Sequence, residues 1–154
     1  MPKSVVEAAK AIKKDEDPED PYDEVWVVFD TEGPQNPNRF TAAKASVNQA
    51  YALKFKTAVS NPAWEFWLLL HFEYFTGNLV DGTAARKRLK EKGLPNYEKG
   101  DNCFEDVYNL TPTALKNANK LFKERYEPDG KKHPCDCHPC TEVHRLIESM
   151  MSNQ

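Results

Sequence analysis

The chain has 154 residues, a formal net charge of -3 at pH 7, 40% hydrophobic residues and 29% charged residues. Domains usually contain roughly 100 to 200 residues, so we expect a single domain over residues 1–154. The mixed composition excludes a disordered or fibrous chain. The negative balance excludes an overall basic field, so contact with phosphate groups requires a local basic patch or a bound cation.

The sequence contains no signal for a membrane or for export. It has no run that approaches the roughly 18 uninterrupted apolar residues of a membrane span. The N-terminal stretch "MPKSVVEAAKAIKK" lacks the apolar core of a secretory signal. We therefore expect a cytoplasmic protein with no membrane partner.

The first predicted element is an amphipathic helix from Ser4 to Lys14, in which Ser4 and Glu7 resemble a capping box. The acidic run "DEDPEDPYDE" then predicts a solvated loop, with a partner-binding tract as the alternative. Next, "EVWVVFD" predicts a strand from Glu24 to Asp30 that is buried on both faces of a parallel sheet. A helix from about Thr41 and the strand "KTAVS" complete a βαβ unit.

The sequence patterns of the second half of the chain predict mostly helices. "PAWEFWLLLHFEYF" predicts a helix from Pro62 to Phe75, and "TAARKRLKEKG" predicts another. "FEDVYNL" is ambiguous. A helix from Thr111 to Tyr126 has Thr111 as its expected N-cap, and a Cys-rich loop precedes a last helix that we expect Thr141 to cap. The fold class is therefore α/β, a partly parallel sheet flanked by helices, with the C-terminal helices packed on one side.

Asp30 and Glu32 follow directly after the first buried strand, in "FDTEG". Ligands of open α/β sheets bind at the carboxyl ends of strands. Residues i and i+2 of an extended chain face the same way, so both carboxylates can converge on one hard cation such as Mg²⁺ or Mn²⁺. The alternative is that these acids simply begin a surface loop.

The apolar stretch "SNPAWEFWLLLHFEYF" contains two titratable residues, Glu65 and His71. Glu65 can be stabilised by the free amides of a helical first turn, or it can be a further metal ligand or a base near Asp30. Six residues separate Glu65 from His71, so the two do not share a helix face. We expect His71 to be a packed, hydrogen-bonded imidazole.

Two further clusters have a chemical and a structural interpretation. The Cys/His segment, "HPCDCHPCTEVH" at residues 133–144, contains Cys135, Cys137, Cys140 and His144, a set that suits a tetrahedral structural Zn²⁺ site. The alternative is a surface loop with reduced thiols. Arg86, Lys87 and Arg88 could contact a phosphate backbone, or they could form a solvated helix face.

Several segments in order resemble the RloB-like proteins, which are linked to bacterial restriction and abortive-infection loci. These segments are "YDEVWVVFDTEG", "AVSNPAWEFWLLLHFEYF", "NYEKGDNCFEDVY", "ALKNANKL" and "HPCTEVHRLIESM". The resemblance implies a Toprim-like fold, in which Asp30 matches the first aspartate of the Toprim motif and Glu32 replaces the second. Toprim domains also begin with a strand and a glutamate turn, and no such strand precedes Ser4. We therefore expect a chain that is truncated at its N-terminus relative to the family.

The resemblance implies a metal-dependent nuclease-like component of an anti-phage defence system, with Asp30, Glu32 and Glu65 as its catalytic acids. The expected partners are nucleic acid, an ATPase and a second copy of the chain in a homo-oligomer. The alternative function is a catalytically inactive binding or regulatory module that keeps the fold, because fold alone does not decide activity.

Overall fold

The computed structural model of the protein describes residues 1–125 and 133–153 and has an α/β architecture. Its sheet has three strands in the order β1-β2-β3, namely β1 (Trp26–Asp30), β2 (Lys56–Asn61) and β3 (Cys140–Thr141). Strands β1 and β2 are parallel, with Asp30 opposite Ser60, whereas β2 and β3 are antiparallel. The sheet is therefore mixed and partly parallel, as the sequence predicts.

The helices of the described residues are α1 (Pro2–Lys14), α2 (Pro37–Ala52), α3 (Trp64–Leu69), α4 (Gly82–Lys92), α5 (Phe104–Val107), α6 (Thr111–Arg125) and α7 (Val143–Ser152). Short 3₁₀ turns occupy Tyr108–Leu110 and Pro134–Asp136. The predicted end of the sixth helix, Tyr126, lies outside the described residues. None of the helices within residues 1–125 and 133–153 has the length and apolar character needed to cross a membrane.

The βαβ unit of β1, α2 and β2 confirms the reading of the N-terminal half, but β1 is buried on one face only. Val27 packs with Val6 of α1 and Ala50 of α2 in one hydrophobic cluster. Val28 points to the opposite face and is 42% exposed. The prediction of burial on both faces is therefore wrong at Val28, because helices α1 and α2 cover the Val27 face of β1 and leave Val28 largely exposed.

The starts of the first two helices differ from the predicted ones. Helix α1 begins at Pro2 after Met1, and the Ser4 hydroxyl donates to the Met1 carbonyl at 2.7 Å instead of forming a capping box with Glu7. Helix α2 begins at Pro37, several residues before the expected start, because the Asn36 side chain caps it. Proline is favoured at a first helical position, which explains both early starts.

Helix α3 is shorter than the predicted helix from Pro62 to Phe75. It ends at Leu69, and the Leu70 carbonyl accepts a hydrogen bond from Asn117 Nδ2 of α6 at 2.8 Å. Beyond it, the Glu73 carboxylate accepts from Arg88 Nε of α4 at 2.6 Å. Side chains of α6 and α4 thus donate hydrogen bonds to the Leu70 carbonyl and the Glu73 carboxylate. The segment after Leu69 does not continue as α-helix.

The two predicted threonine caps are also wrong. Thr111 is the first residue of α6, because a 3₁₀ turn leads directly into the helix, and its hydroxyl reaches the Val107 carbonyl at 3.5 Å. Thr141 lies in β3, one residue before the N-cap Glu142 of α7. The Cys-rich segment is therefore more than a loop, since it contributes a strand to the sheet.

The main hydrophobic core lies between α3, α4, α6 and the start of α7, which confirms that the C-terminal helices pack together. Its members are almost fully buried and include Phe66, Leu69, Leu70, Leu89, Ala118, Leu121 and Val143. This core fixes α3 against β2 and α4, so the first turn of α3 has a defined position beside the end of β1.

Candidate metal centre

The acid-bearing turn after β1 has an unusual backbone. Glu32 has a φ of 65° and Gly33 a φ of 82°, both in the left-handed region. A Cβ atom at Gly33 would lie 2.6 Å from the Val80 carbonyl oxygen, so the turn requires glycine there. The Glu32 amide donates to the Pro62 carbonyl at 2.9 Å. The extended alternation that we expected for Asp30 and Glu32 therefore ends before Glu32.

Asp30 lies in an environment that disfavours its charged form. The pKa of Asp30 is raised to about 7, mainly by burial and in smaller part by the nearby carboxylates of Glu65 and Glu32. A hydrogen bond from the Trp64 main chain and the positive charge of Lys99 act in the opposite direction. The fold therefore brings all three predicted acids into one electrostatic neighbourhood, although thirty-three positions separate Glu32 from Glu65 in the chain.

Glu65 lies in the first turn of α3, as predicted, and is only 2% exposed. Its Oε1 atom is 3.4 Å from Arg86 Nε of α4. The amides of the first turn and the guanidinium both place positive charge beside this carboxylate. The structure gives α3 Ala63 as its N-cap and no side-chain cap hydrogen bond, so Glu65 does not cap the helix but pairs with Arg86, and its role as a metal ligand stays a prediction.

A polar cleft of about 340 Å³ opens beside Glu32 and Glu65, whereas Asp30 lines a neighbouring cavity. It is lined by acidic, amide and cationic side chains, which include Glu32, Gln35, Asn36, Glu65, Asp81, Arg86 and Lys99. Sequence reasoning missed Asp81 and Lys99. Asp81 precedes Gly82 and caps α4 by accepting from the Ala84 amide at 2.8 Å, a local signal that could have placed it. Lys99 lies in an irregular segment with no pattern.

A second cavity, of about 380 Å³, borders the same acids from the side of α1. Its wall is mostly apolar and includes Met1, Pro2, Val5, Phe29 and Ala42, together with Asp30, Glu32, Asn38 and Arg39. Arg39 Nη1 lies 3.2 Å from Glu32 Oε1. The N-terminus of α1 thus lies at the acid site.

The three basic residues that the sequence singled out do not form one patch. Only Arg86 reaches the cleft. Arg88 pairs with Glu73 and lies 4.3 Å from the centre of the Phe75 ring, while Lys87 is exposed. A larger basic surface occurs on α6, where a groove of about 690 Å³ is lined by Tyr74, Lys116, Asn117, Asn119, Lys120, Lys123 and Glu124.

The thiols of the Cys/His segment are buried among protein groups. Cys140 Sγ donates to the Cys137 carbonyl at 2.9 Å, and the His144 ring packs edge-on against Phe122. Burial raises the pKa of Cys135 to about 12 and lowers that of His144 to about 4. In the part of the chain that the structure describes, no three Cys, His, Asp or Glu side chains stand together as a metal-holding group. Zinc at this segment therefore stays a prediction without an assembled ligand set.

The acid site is compatible with a different kind of metal. Mg²⁺ typically takes only one or two protein carboxylates and completes its octahedron with waters and substrate phosphate oxygens. Asp30 and Glu32 are hard oxygen donors and line the same cavity, and Glu65 lies close enough to raise the pKa of Asp30. The donor chemistry therefore fits a hard divalent cation that binds together with an anionic substrate.

His71 has the structural role that we expected. It is 3% exposed, its Nδ1 atom lies 3.1 Å from the Trp67 carbonyl oxygen, and its ring packs edge-on against Trp67. Burial lowers the pKa of His71, while the hydrogen bonds to the Trp67 and Leu68 carbonyls act in the opposite direction.

The family model for RloB-like proteins matches residues 1–150. The chain belongs to this family. The matched region of this RloB-like protein contains the acid turn, the first turn of α3 and the whole Cys/His segment. No curated protein and no solved structure is similar enough to the RloB-like chain to count as a match. What its site does must therefore be argued from the site itself.

Proposed function

We propose that this RloB-like protein hydrolyses phosphodiester bonds in nucleic acid with the help of Mg²⁺ or Mn²⁺. The observation that supports this most is that Glu32 and Glu65 line a polar cleft together with Arg86 and Lys99, while both carboxylates lie near enough to Asp30 to raise its pKa. Acids alone would repel a phosphate, whereas acids with a bound cation and two basic side chains can bind it.

The three acids and the two basic side chains each have a role in this proposal. Asp30 and Glu32 hold the divalent cation. When bound, the cation polarises the phosphate and lowers the pKa of an attacking water. Lys99 is exposed at the cleft and contacts phosphate oxygens, while Arg86 contacts them from a position that Glu65 fixes. Asp30 must lose its proton before it can ligate the metal, because its pKa is raised to about 7.

In the cell we place this activity in a bacterial anti-phage, abortive-infection system, where the chain works with an ATPase partner. Membership of the RloB-like family supports this context. The N-terminus of α1 borders the acid site, so a residue placed before Met1, or a residue from another chain, would have access to Asp30 and Glu32. A second copy of the chain in a homo-oligomer is one such source.

The alternative proposal is a binding or regulatory module without catalysis. Two observations favour it. Among the described residues no three ligand side chains already form a metal-holding group. The lysine-lined groove on α6 offers a surface for a polyanion that needs no metal.

A cleavage assay separates the two proposals. End-labelled single- and double-stranded DNA and RNA are incubated with the protein and Mg²⁺ or Mn²⁺, with and without a candidate ATPase partner. The variants are Asp30→Ala and, as a matched control, Asp106→Ala on the exposed side of α5. Cleavage that is lost only in Asp30→Ala supports the hydrolase. Cleavage that survives Asp30→Ala excludes the metal assignment, and nucleic-acid binding without cleavage in every condition supports the binding module.

A further inference from the structure

Asn61, the last residue of β2, joins two parts of the molecule that lie far apart in sequence. It is fully buried. Its Oδ1 atom is 2.8 Å from Thr31 Oγ1 and 2.9 Å from His138 Nδ1. Its Nδ2 atom donates to the carbonyls of Cys137 at 2.7 Å and of Cys135 at 3.3 Å. Every polar position of this side chain is therefore occupied by a hydrogen bond.

The direction of these hydrogen bonds follows from the partners. Carbonyl oxygens only accept, so the amide nitrogen of Asn61 must face Cys135 and Cys137 and its oxygen must face Thr31 and His138. Both of those side chains then donate to Asn61. The Thr31 oxygen accepts in turn from the Gly33 amide at 3.1 Å.

Thr31 lies between Asp30 and Glu32, at the base of the strained turn. A non-glycine residue in the left-handed region costs roughly 1 kcal/mol, so the surroundings must hold Glu32 there. The Thr31 side chain is fully buried and binds the amide of the residue that follows Glu32. It is thus the link between the conformation of the turn and the Asn61 side chain.

We propose that Thr31 and Asn61 are positioning residues for the two metal-binding acids, and that the Cys/His segment fixes the acid turn through them. This inference rests on the proposed function in so far as Asp30 and Glu32 hold a metal. The segment reaches the turn by the path His138 to Asn61 to Thr31 to Gly33. The Cys/His segment then has a role in the site that needs no zinc.

The first test compares Thr31→Val, which keeps the shape of the side chain and removes the hydroxyl, with Thr31→Ser, which keeps the hydroxyl. Groups that orient metal ligands typically contribute ~10–100-fold to metal affinity. We expect Thr31→Val to weaken Mn²⁺ binding, measured by calorimetric titration, at least tenfold, and Thr31→Ser to bind within about twofold of the wild type. Thermal unfolding shows that each variant is folded at the temperature of the titration.

The second test acts from the far end of the path. His138→Leu removes the donor to Asn61, and His138→Asn places an amide donor near the position of Nδ1. Without any metal, amide hydrogen exchange followed by NMR should be about tenfold faster at Glu32 and Gly33 in His138→Leu, and near wild type in His138→Asn. A purely structural defect would instead accelerate exchange throughout the sheet.

The outcomes distinguish the coupling between the Cys/His segment and the acid turn from the effect of that coupling on metal binding. Unchanged exchange at Glu32 and Gly33 in His138→Leu overturns the coupling. Faster exchange with Mn²⁺ affinity unchanged in Thr31→Val keeps the coupling but overturns its role in metal binding. A wild-type protein that binds no Mn²⁺ counts against the proposed function, while the exchange measurement still decides whether the Cys/His segment fixes the turn.

Discussion

The Glu65 carboxylate of α3 lies 3.4 Å from the Arg86 guanidinium of α4, and the side chain of Glu65 is only 3% exposed. This pair ties the first turn of α3 to the cleft-facing side of α4. It also explains how a carboxylate can lie inside the most apolar stretch of the sequence, since a buried charge needs a partner.

Removal of Arg86 should therefore destabilise the protein. Arg86→Ala leaves Glu65 buried and unpaired, and removing one member of such a pair costs about 3 kcal/mol, or about 2 kcal/mol here because Arg86 is partly exposed. The free energy of unfolding in urea measures the effect. Lys87→Ala, the exposed neighbour on the same helix, should change it by less than about 0.5 kcal/mol. Equal effects of the two variants would contradict the pairing.

The raised pKa of Asp30 predicts how stability depends on pH in the metal-free protein. The pKa is about 7 in the folded state against 3.8 as the ordinary value. Between these values the unfolded chain is ionised while the folded chain keeps the proton, so Asp30 lowers stability progressively as the pH rises from about 4 to about 7. Above pH 7 the full cost remains.

Asp30→Asn removes this titration. The variant should gain stability relative to wild type between pH 4 and pH 8, by at most about 4 kcal/mol at 1.36 kcal/mol per pKa unit. Urea unfolding curves at both pH values give the difference. Parallel pH dependences of wild type and Asp30→Asn would show that Asp30 titrates normally.

The lysine groove on α6 should contact nucleic acid through phosphate groups. Lys116→Gln with Lys123→Gln should weaken binding of single-stranded oligonucleotides and reduce the slope of log affinity against log salt by about 1.4, since each phosphate contact contributes about 0.7. The control is Lys10→Gln with Lys14→Gln, which makes the same change in net charge on exposed positions of α1. A loss of the same size in the control would mean that only net charge matters.

The cysteines should react with a thiol reagent at two different rates. Cys135, Cys137 and Cys140 are buried, whereas Cys103 is partly exposed. Burial raises the pKa of Cys103 as well as those of Cys135 and Cys140, so exposure to the reagent separates the two groups. At pH 8 we expect Cys103 to react first and the other three to react only as fast as the protein unfolds. Cys103→Ala should remove the faster phase.

Elemental analysis of the same protein tests the zinc centre that the sequence predicts. One zinc per chain, released when the buried thiols are modified, would show that Cys135, Cys137, Cys140 and His144 bind metal. Protein without zinc and with three slow thiols would show that the segment is held by its own hydrogen bonds.

Local sequence patterns were sufficient to predict the βαβ unit and the position of the acids. The apolar β-branched run before Asp30 can hardly be anything other than a strand, and its end marks the edge of a sheet. The helix caps were not predictable in the same way. Ser4 and Thr111 are good capping residues, but the hydroxyl of each donates to a main-chain carbonyl instead of accepting from a helix amide. Competition between local partners of similar energy decides such details.

The composition of the site depends on tertiary contacts that no local pattern contains. Glu65 is near enough to raise the pKa of Asp30 only because the core places α3 beside the end of β1. Lys99 contributes from an irregular segment, and the left-handed backbone of Glu32 depends on groups outside the turn, among them the Pro62 carbonyl. The sequence could name the predicted acids, but it could not show that the fold brings them near one another.

The most direct test of the central proposal is a calorimetric titration of the protein with Mn²⁺ at pH 8, for wild type, Asp30→Ala and the control Asp106→Ala. We predict one Mn²⁺ site per chain in wild type and in Asp106→Ala, and at least tenfold weaker binding in Asp30→Ala. Binding of equal affinity in all three proteins, or no binding in the wild type, would contradict the assignment of Asp30 and Glu32 as the metal-holding acids.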